Sequence, residues 1–216
     1  MGQMCNLMPH LSEKVHKCAL DAGLVCDDSD MPSTARAALD RALVDVRANI
    51  DHAKTFTGGR RGAPAASAGI SRPGRPFLRG AVVLLGAAVE AYVEGLAAEV
   101  GGQTLSGQQV KDLKEQIRHS HGASARHIHQ LLAPLGLPFA LDGVSWRGFP
   151  RGTARTVLDE IASARNKIAH GNAANATTWV VELERWYGLI PKIADRLDRL
   201  AASHVQDVNG LPAPLW

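Results

Sequence analysis

The run from Phe77 to Val100, FLRGAVVLLGAAVEAYVEGLAAEV, constrains the fold more than any other part of the chain. It is apolar on nearly every side, and a helix of that kind is stable in water only when other elements enclose it all round. Arg79 and Glu90 interrupt it, about three turns apart, so they share one face at roughly 16 Å along the axis. No uncharged stretch approaches the ~20 residues that a membrane span needs, so no membrane partner is expected. A charge on such a helix is costly unless it is paired or faces a cleft. Arg79 lies near the helix start, where water can solvate it; Glu90 is central and needs a partner.

The rest of the chain supplies helices to do the enclosing. Ala38, Leu39, Ala42, Leu43, Val46 and Ile50 recur at three-to-four spacing after Ser33 and Thr34, which predicts a capped helix to about Phe56. SGQQVKDLKEQIRHS reads as a polar amphipathic helix, and SARHIHQLLAPLG as a shorter one ended by Pro134 and Gly136. A Pro/Gly-rich irregular segment, LPFALDGVSWRGFPRG, precedes two further helices, Thr153 to about His170 and roughly Thr177 to Ser203. Gly171 is a candidate C-cap for the first, and Pro191 is expected to kink or divide the second. No strand pattern is long enough to build a sheet. The expected fold is all-α, a bundle of four to five core helices with up-down topology and short additional helices.

Residues 1–32 read as an extension, partly disordered or with a short helix near Ser12 to Ala22, residues 33–205 as the helical domain, and 206–216 as a tail. Cys5, Cys18 and Cys26 all fall in the extension, odd in number and without the paired spacing of a zinc site, which suits cytosolic thiols and a cytoplasmic protein. The connection over 57–76 is Gly/Pro-rich and cannot sustain regular structure. Arg60, Arg61, Arg72 and Arg75 make it the most basic segment and candidate RNA contacts, although a net charge of +3 does not by itself demand a nucleic-acid partner. The pairs His119/His121 and His127/His129 invite a metal reading. Their i, i+2 spacing does not put both members on one helix face, and no acidic or cysteine partner sits at ligand spacing, so neither metal nor cofactor is expected.

The helix ending in SARNKIAHGN carries the candidate chemistry. Val157, Ile161, Ala164 and Ile168 recur as its core stripe, which leaves Asp159, Ser163, Asn166 and His170 on the opposite face. Asn166 and His170 are i, i+4 neighbours whose side chains can meet. Arg165 lies to one side, with an arm long enough to swing toward the same cleft. A histidine can move a proton near neutral pH, and an arginine can steady the charge of a phosphorane-like transition state. Together they suffice for metal-free attack of a ribose 2′-hydroxyl on its own phosphate. The plain structural alternative is a surface ion pair at Arg165 and a histidine favoured at a helix C-terminus at His170.

RNKIAHG resembles the R-x4-6-H signature of the HEPN superfamily, and LRGAVVLLGAAVEAYVEGL resembles the upstream helix of its RiboL-PSP branch, where an arginine and then a glutamate followed by an aromatic lie on an apolar helix. Here those are Arg79, Glu90 and Tyr92. The resemblance implies a homodimeric helical bundle with the two motifs facing each other across a cleft, and a metal-independent endoribonuclease of toxin–antitoxin or antiphage systems, with RNA and a possible antitoxin or defence partner. On that basis Arg165 and His170 are catalytic, Asn166 orients His170 or the phosphate, and Glu90 and Arg79 support them. The R-x4-H-x-Y variant is absent, because position 172 is Asn172. A HEPN-type module that binds RNA, nucleotide or a protein without cutting is the alternative.

Overall fold

Helix α1 (Thr34–Thr57) and helix α2 (Arg75–Thr104) form the first long pair in a computed structural model that describes residues 32–57, 74–170 and 180–216. They run antiparallel, since Gly74 lies against Ala53 and Phe56, Gly80 against Asn49, and Gly95 against Ala35. Helices α3 (Gln108–His119) and α4 (Ala125–Leu132) are short, and a 3₁₀ turn at Ala133–Leu135 ends on Gly136. Helix α5 (Thr153–Ala169) and helix α6 (Val180–Asn209) complete the bundle. The fold is all-α: among the described residues the nearest approach to a strand is the isolated pairing of Trp146 with Phe149.

Helix α2 takes the central place that its composition requires. Leu85, Val89, Val93, Leu96 and Val100 are buried along it, packed by α1, α6, α5 and the short helices. It is also long and apolar enough to cross a membrane by length and hydropathy, but more than half of that window is buried inside the bundle.

Polar groups at one end tie three long helices together. Asp198 on α6 is buried and accepts hydrogen bonds from the Ser33 backbone N–H (2.9 Å), the Ser33 hydroxyl (2.7 Å) and the Tyr92 hydroxyl (3.3 Å). Tyr92 also meets the Ala194 carbonyl at 2.9 Å. Burial first, and then the Asp198 charge, push the Tyr92 phenol well above its ordinary value, so it stays a donor. At the other end Arg47 of α1 grips Glu184 of α6 with two bonds of 2.9 and 2.6 Å, and Lys54 joins them. Arg47 above all holds the Glu184 carboxyl down to about 2.

Several boundaries differ from expectation. Helix α2 starts at Arg75 rather than Phe77, with Pro76 in its first turn, where a missing N–H costs nothing; Arg75 is therefore helical rather than part of a 57–76 connection. Arg60, Arg61, Arg72, Gly171 and the 1–31 segment lie outside the described residues. Pro191 does not divide α6, which is one helix from Val180 to Asn209. Leu183, Trp186 and Ile190 before it and Ile193, Ala194 and Leu197 after it all bury their side chains, and that burial outweighs the ~3 kcal/mol that an interior proline costs. The same helix takes up residues assigned to the 206–216 tail, and Trp216 packs against the core.

Replacing Asp198 by alanine leaves the Ser33 donors buried without an acceptor. We expect Asp198→Ala to lower the unfolding free energy by about 3 kcal/mol, read as a lower urea midpoint at unchanged slope. A loss under about 1 kcal/mol would mean that the three helices are not held by this knot.

Candidate functional site

Glu90 is where α2 stops being a plain core helix. Its side chain is only 16% exposed and its two oxygens face different elements. Oε1 accepts the Gly122 backbone N–H at 2.6 Å and lies 3.9 Å from His121 Nδ1. Oε2 lies 4.0 Å from the Arg165 guanidinium on α5. Arg79 is not among its partners: the ion pair formed is the one with Arg165, because α5 packs across the face of α2 that carries Gly86 and Glu90.

Gly86, one turn before Glu90, makes that crossing close. A Cβ there would stand 3.2 Å from Arg165 Cγ, so the arginine stem lies directly on the α2 backbone. The other wall is the turn between α3 and α4. Gly122 adopts φ +127°, a conformation that favours glycine, and its N–H reaches Glu90 from there. Ser124 caps α4 by accepting the His127 N–H, and its hydroxyl contacts His127 Nδ1 at 3.2 Å. Asp159 of α5 accepts the Ala125 N–H at 2.9 Å and so pins α4 to α5.

These groups surround an open pocket lined by Gly86, Glu90, His121, His127, Arg165 and Asn166 together with the Gly122–Ser124 turn. Its volume is about 130 Å³, small beside the ~300–1,000 Å³ of sites that engulf a small molecule. A phosphate group fits; a nucleotide must lie across the mouth.

The two halves of the expected motif separate here. Arg165, placed to one side by helical periodicity, lines the pocket, and so does Asn166. The side-chain meeting of Asn166 with His170 does not form. Asn166 Oδ1 instead accepts from Arg165 at 3.2 Å, and the Asn166 contact to His170 is backbone, from the His170 N–H to the Asn166 carbonyl at 3.0 Å. His170 is the C-cap of α5, exposed, and does not line the pocket. Helix α5 ends at Ala169, and His170 follows with φ −89° and ψ 16°, its N–H still bonded to the Asn166 carbonyl. Arg79 also stands outside the lining.

Histidines that sequence spacing set aside are present instead. His121 and His127 both line the pocket. One oxygen of Glu90, one of Glu94 and one ring nitrogen of His121 lie within 4.8 Å of one another, where no metal-ligand set was expected. The i, i+4 spacing of Glu90 and Glu94 on an apolar helix was a visible signal for Glu94; the approach of His121 from a turn some thirty residues later was not. Burial first, and then the charge of Glu90, raise the Glu94 carboxyl, while His121 pulls it down. Comparison with protein-family models, with curated proteins and with solved structures finds no match to the chain.

Because only the flexible Arg165 stem meets a side chain at position 86, Gly86→Ala is expected to be neutral or to stabilise α2 by up to about 1 kcal/mol. Urea unfolding checks this. A loss above about 2 kcal/mol would show that the crossing of α2 and α5 itself cannot widen.

Proposed function

We propose that the chain is a metal-independent endoribonuclease of HEPN type, acting as a homodimer in a toxin or antiphage defence system. The observation that supports it most is the lightly held guanidinium of Arg165 at an open pocket. At 4.0 Å from Glu90 and with one bond to Asn166, it is kept in place yet free to exchange a carboxylate for a phosphate, which its planar fork suits. Glu90 orients it and Asn166 fixes its edge.

The reaction needs a base for the ribose 2′-hydroxyl and an acid for the departing 5′-oxygen. The 2′-oxygen attacks phosphorus as its proton leaves, the bond from phosphorus to the 5′-oxygen breaks, and that oxygen takes up a proton. The products are a 2′,3′-cyclic phosphate and a 5′-hydroxyl. His170 serves as one proton carrier, and the copy of this site in a second protomer supplies the other across the interface. Val83 and Leu84 are exposed on α2 at 37% and 39%, and Ala87 and Ala91 continue the apolar strip beside Glu90. A second copy that covers this strip also lies against the pocket.

The position of His170 outside the pocket favours a second reading, a HEPN-type module that binds RNA, nucleotide or a protein partner without cutting. Incubation of the purified protein with RNA in EDTA separates the two. Under the ribonuclease reading wild type yields fragments, while Arg165→Ala and His170→Ala each lower the rate by roughly 10²-fold or more with helical content and dimer mass unchanged. Cleavage that vanishes with chelator, or His170→Ala cutting at the wild-type rate, would leave the binding module as the better account. An active monomer by light scattering would remove the dimer from it.

A further inference from the structure

Glu94 has no place in that chemistry. It stands one turn after Glu90 on the same face of α2, is half-buried, and makes no hydrogen bond or ion pair among the described residues. Two carboxylates at i, i+4 repel each other on a helix, and the repulsion is greater on an apolar helix that is partly withdrawn from water. Glu90 is at least held, by the Gly122 N–H and by Arg165. Beside Glu94, apart from Glu90, stands the His121 ring.

We propose that Glu90, Glu94 and His121 form a binding site for a divalent transition ion, Zn²⁺ foremost. Two carboxylate oxygens and one imidazole nitrogen are a donor set that such an ion takes, three protein ligands with a fourth position open to water. The ligand atoms lie within 4.8 Å of one another, and His121 Nδ1 is already 3.9 Å from Glu90 Oε1. Arms of ~2.0–2.1 Å at tetrahedral angles put ligand atoms about 3.4 Å apart. Closing that difference asks for side-chain rotation only. His121 is 74% exposed and turns without disturbing the core, while the two glutamates ride on the most firmly packed helix of the fold.

The surroundings support the same assignment. The Gly122 N–H bond orients Glu90 Oε1 and, because Gly122 follows His121 directly, draws the histidine toward the glutamates. An outer hydrogen bond that sets the angle of a ligating carboxylate is a usual part of a metal site. The ion cancels the paired negative charges. It shares Glu90 with the ribonuclease reading but is not needed for 2′-hydroxyl attack, so the site stands or falls separately.

The test uses the full chain, stripped with EDTA and dialysed, with no RNA present. Co²⁺ is titrated and followed by its visible absorption, and Zn²⁺ by calorimetry. We expect one ion per chain, with affinity reduced on the order of 10- to 100-fold or more in both Glu94→Gln and His121→Ala. These variants lie on separate elements, and circular dichroism confirms that each is folded. His119→Ala, which alters a second histidine next to a glutamate, Glu115 on α3, is expected to bind as wild type does. So is His170→Ala, the variant that removes cleavage under the ribonuclease reading. No binding by wild type, binding that survives both Glu94→Gln and His121→Ala, or binding lost with His119→Ala instead, overturns the proposal.

Discussion

The need to remove both sides of α2 from water organises this molecule. Leu85, Val89, Val93, Leu96 and Val100 cannot all be covered by one neighbour, so α1, α5, α6 and the short helices gather round them. Each methylene buried contributes about 0.8 kcal/mol, and no arrangement with α2 at the edge recovers that. Polar contacts then select among the ways of packing helices round a rod. The Asp198 knot sets the end at which α1, α2 and α6 converge, and the Arg47–Glu184 pair sets the other.

A carboxylate in the wall of such a helix has to be met by something, and what meets Glu90 defines the site. The fold answers with a backbone N–H from a glycine turn and a guanidinium from α5. The Arg165 stem lies against the α2 backbone at Gly86, and Gly122 turns with a positive φ that a side chain would strain. The enclosure is incomplete: the strip at Val83 and Leu84 stays exposed next to the pocket, which is why a second copy of the chain belongs in the functional proposal.

Periodicity in the sequence exposes the helices and their buried faces, because a helix is a local structure and its stripe repeats within a few residues. It also singles out Glu90, a charge whose surroundings do not explain it, whereas Arg165 stands out through the resemblance of its motif. What it cannot convey is how separate helices cross. Arg165 reaches the pocket because α5 lies on Gly86, and His121 and His127 enter it because Glu90 draws in the turn between α3 and α4. Neither approach leaves a trace in local spacing. His170 shows the converse: its backbone keeps the i, i+4 bond to Asn166, yet the two side chains do not meet where the helix ends at Ala169. Pro191 likewise reads locally as a break, and is carried through by burial on both sides.

The central claim is that Arg165, lightly held by Glu90, receives a phosphate whose own ribose hydroxyl is the nucleophile. The most direct measurement is the chemistry of the cut ends on a defined RNA, alongside the same RNA with hydrogen in place of the 2′-hydroxyl at the scissile nucleotide. The account predicts 2′,3′-cyclic phosphate and 5′-hydroxyl ends on the first, and no cleavage of the second despite retained binding, since binding rests on phosphate contacts and stacking. Ends bearing a 5′-phosphate, or cleavage of the 2′-deoxy substrate at the same position, would contradict it.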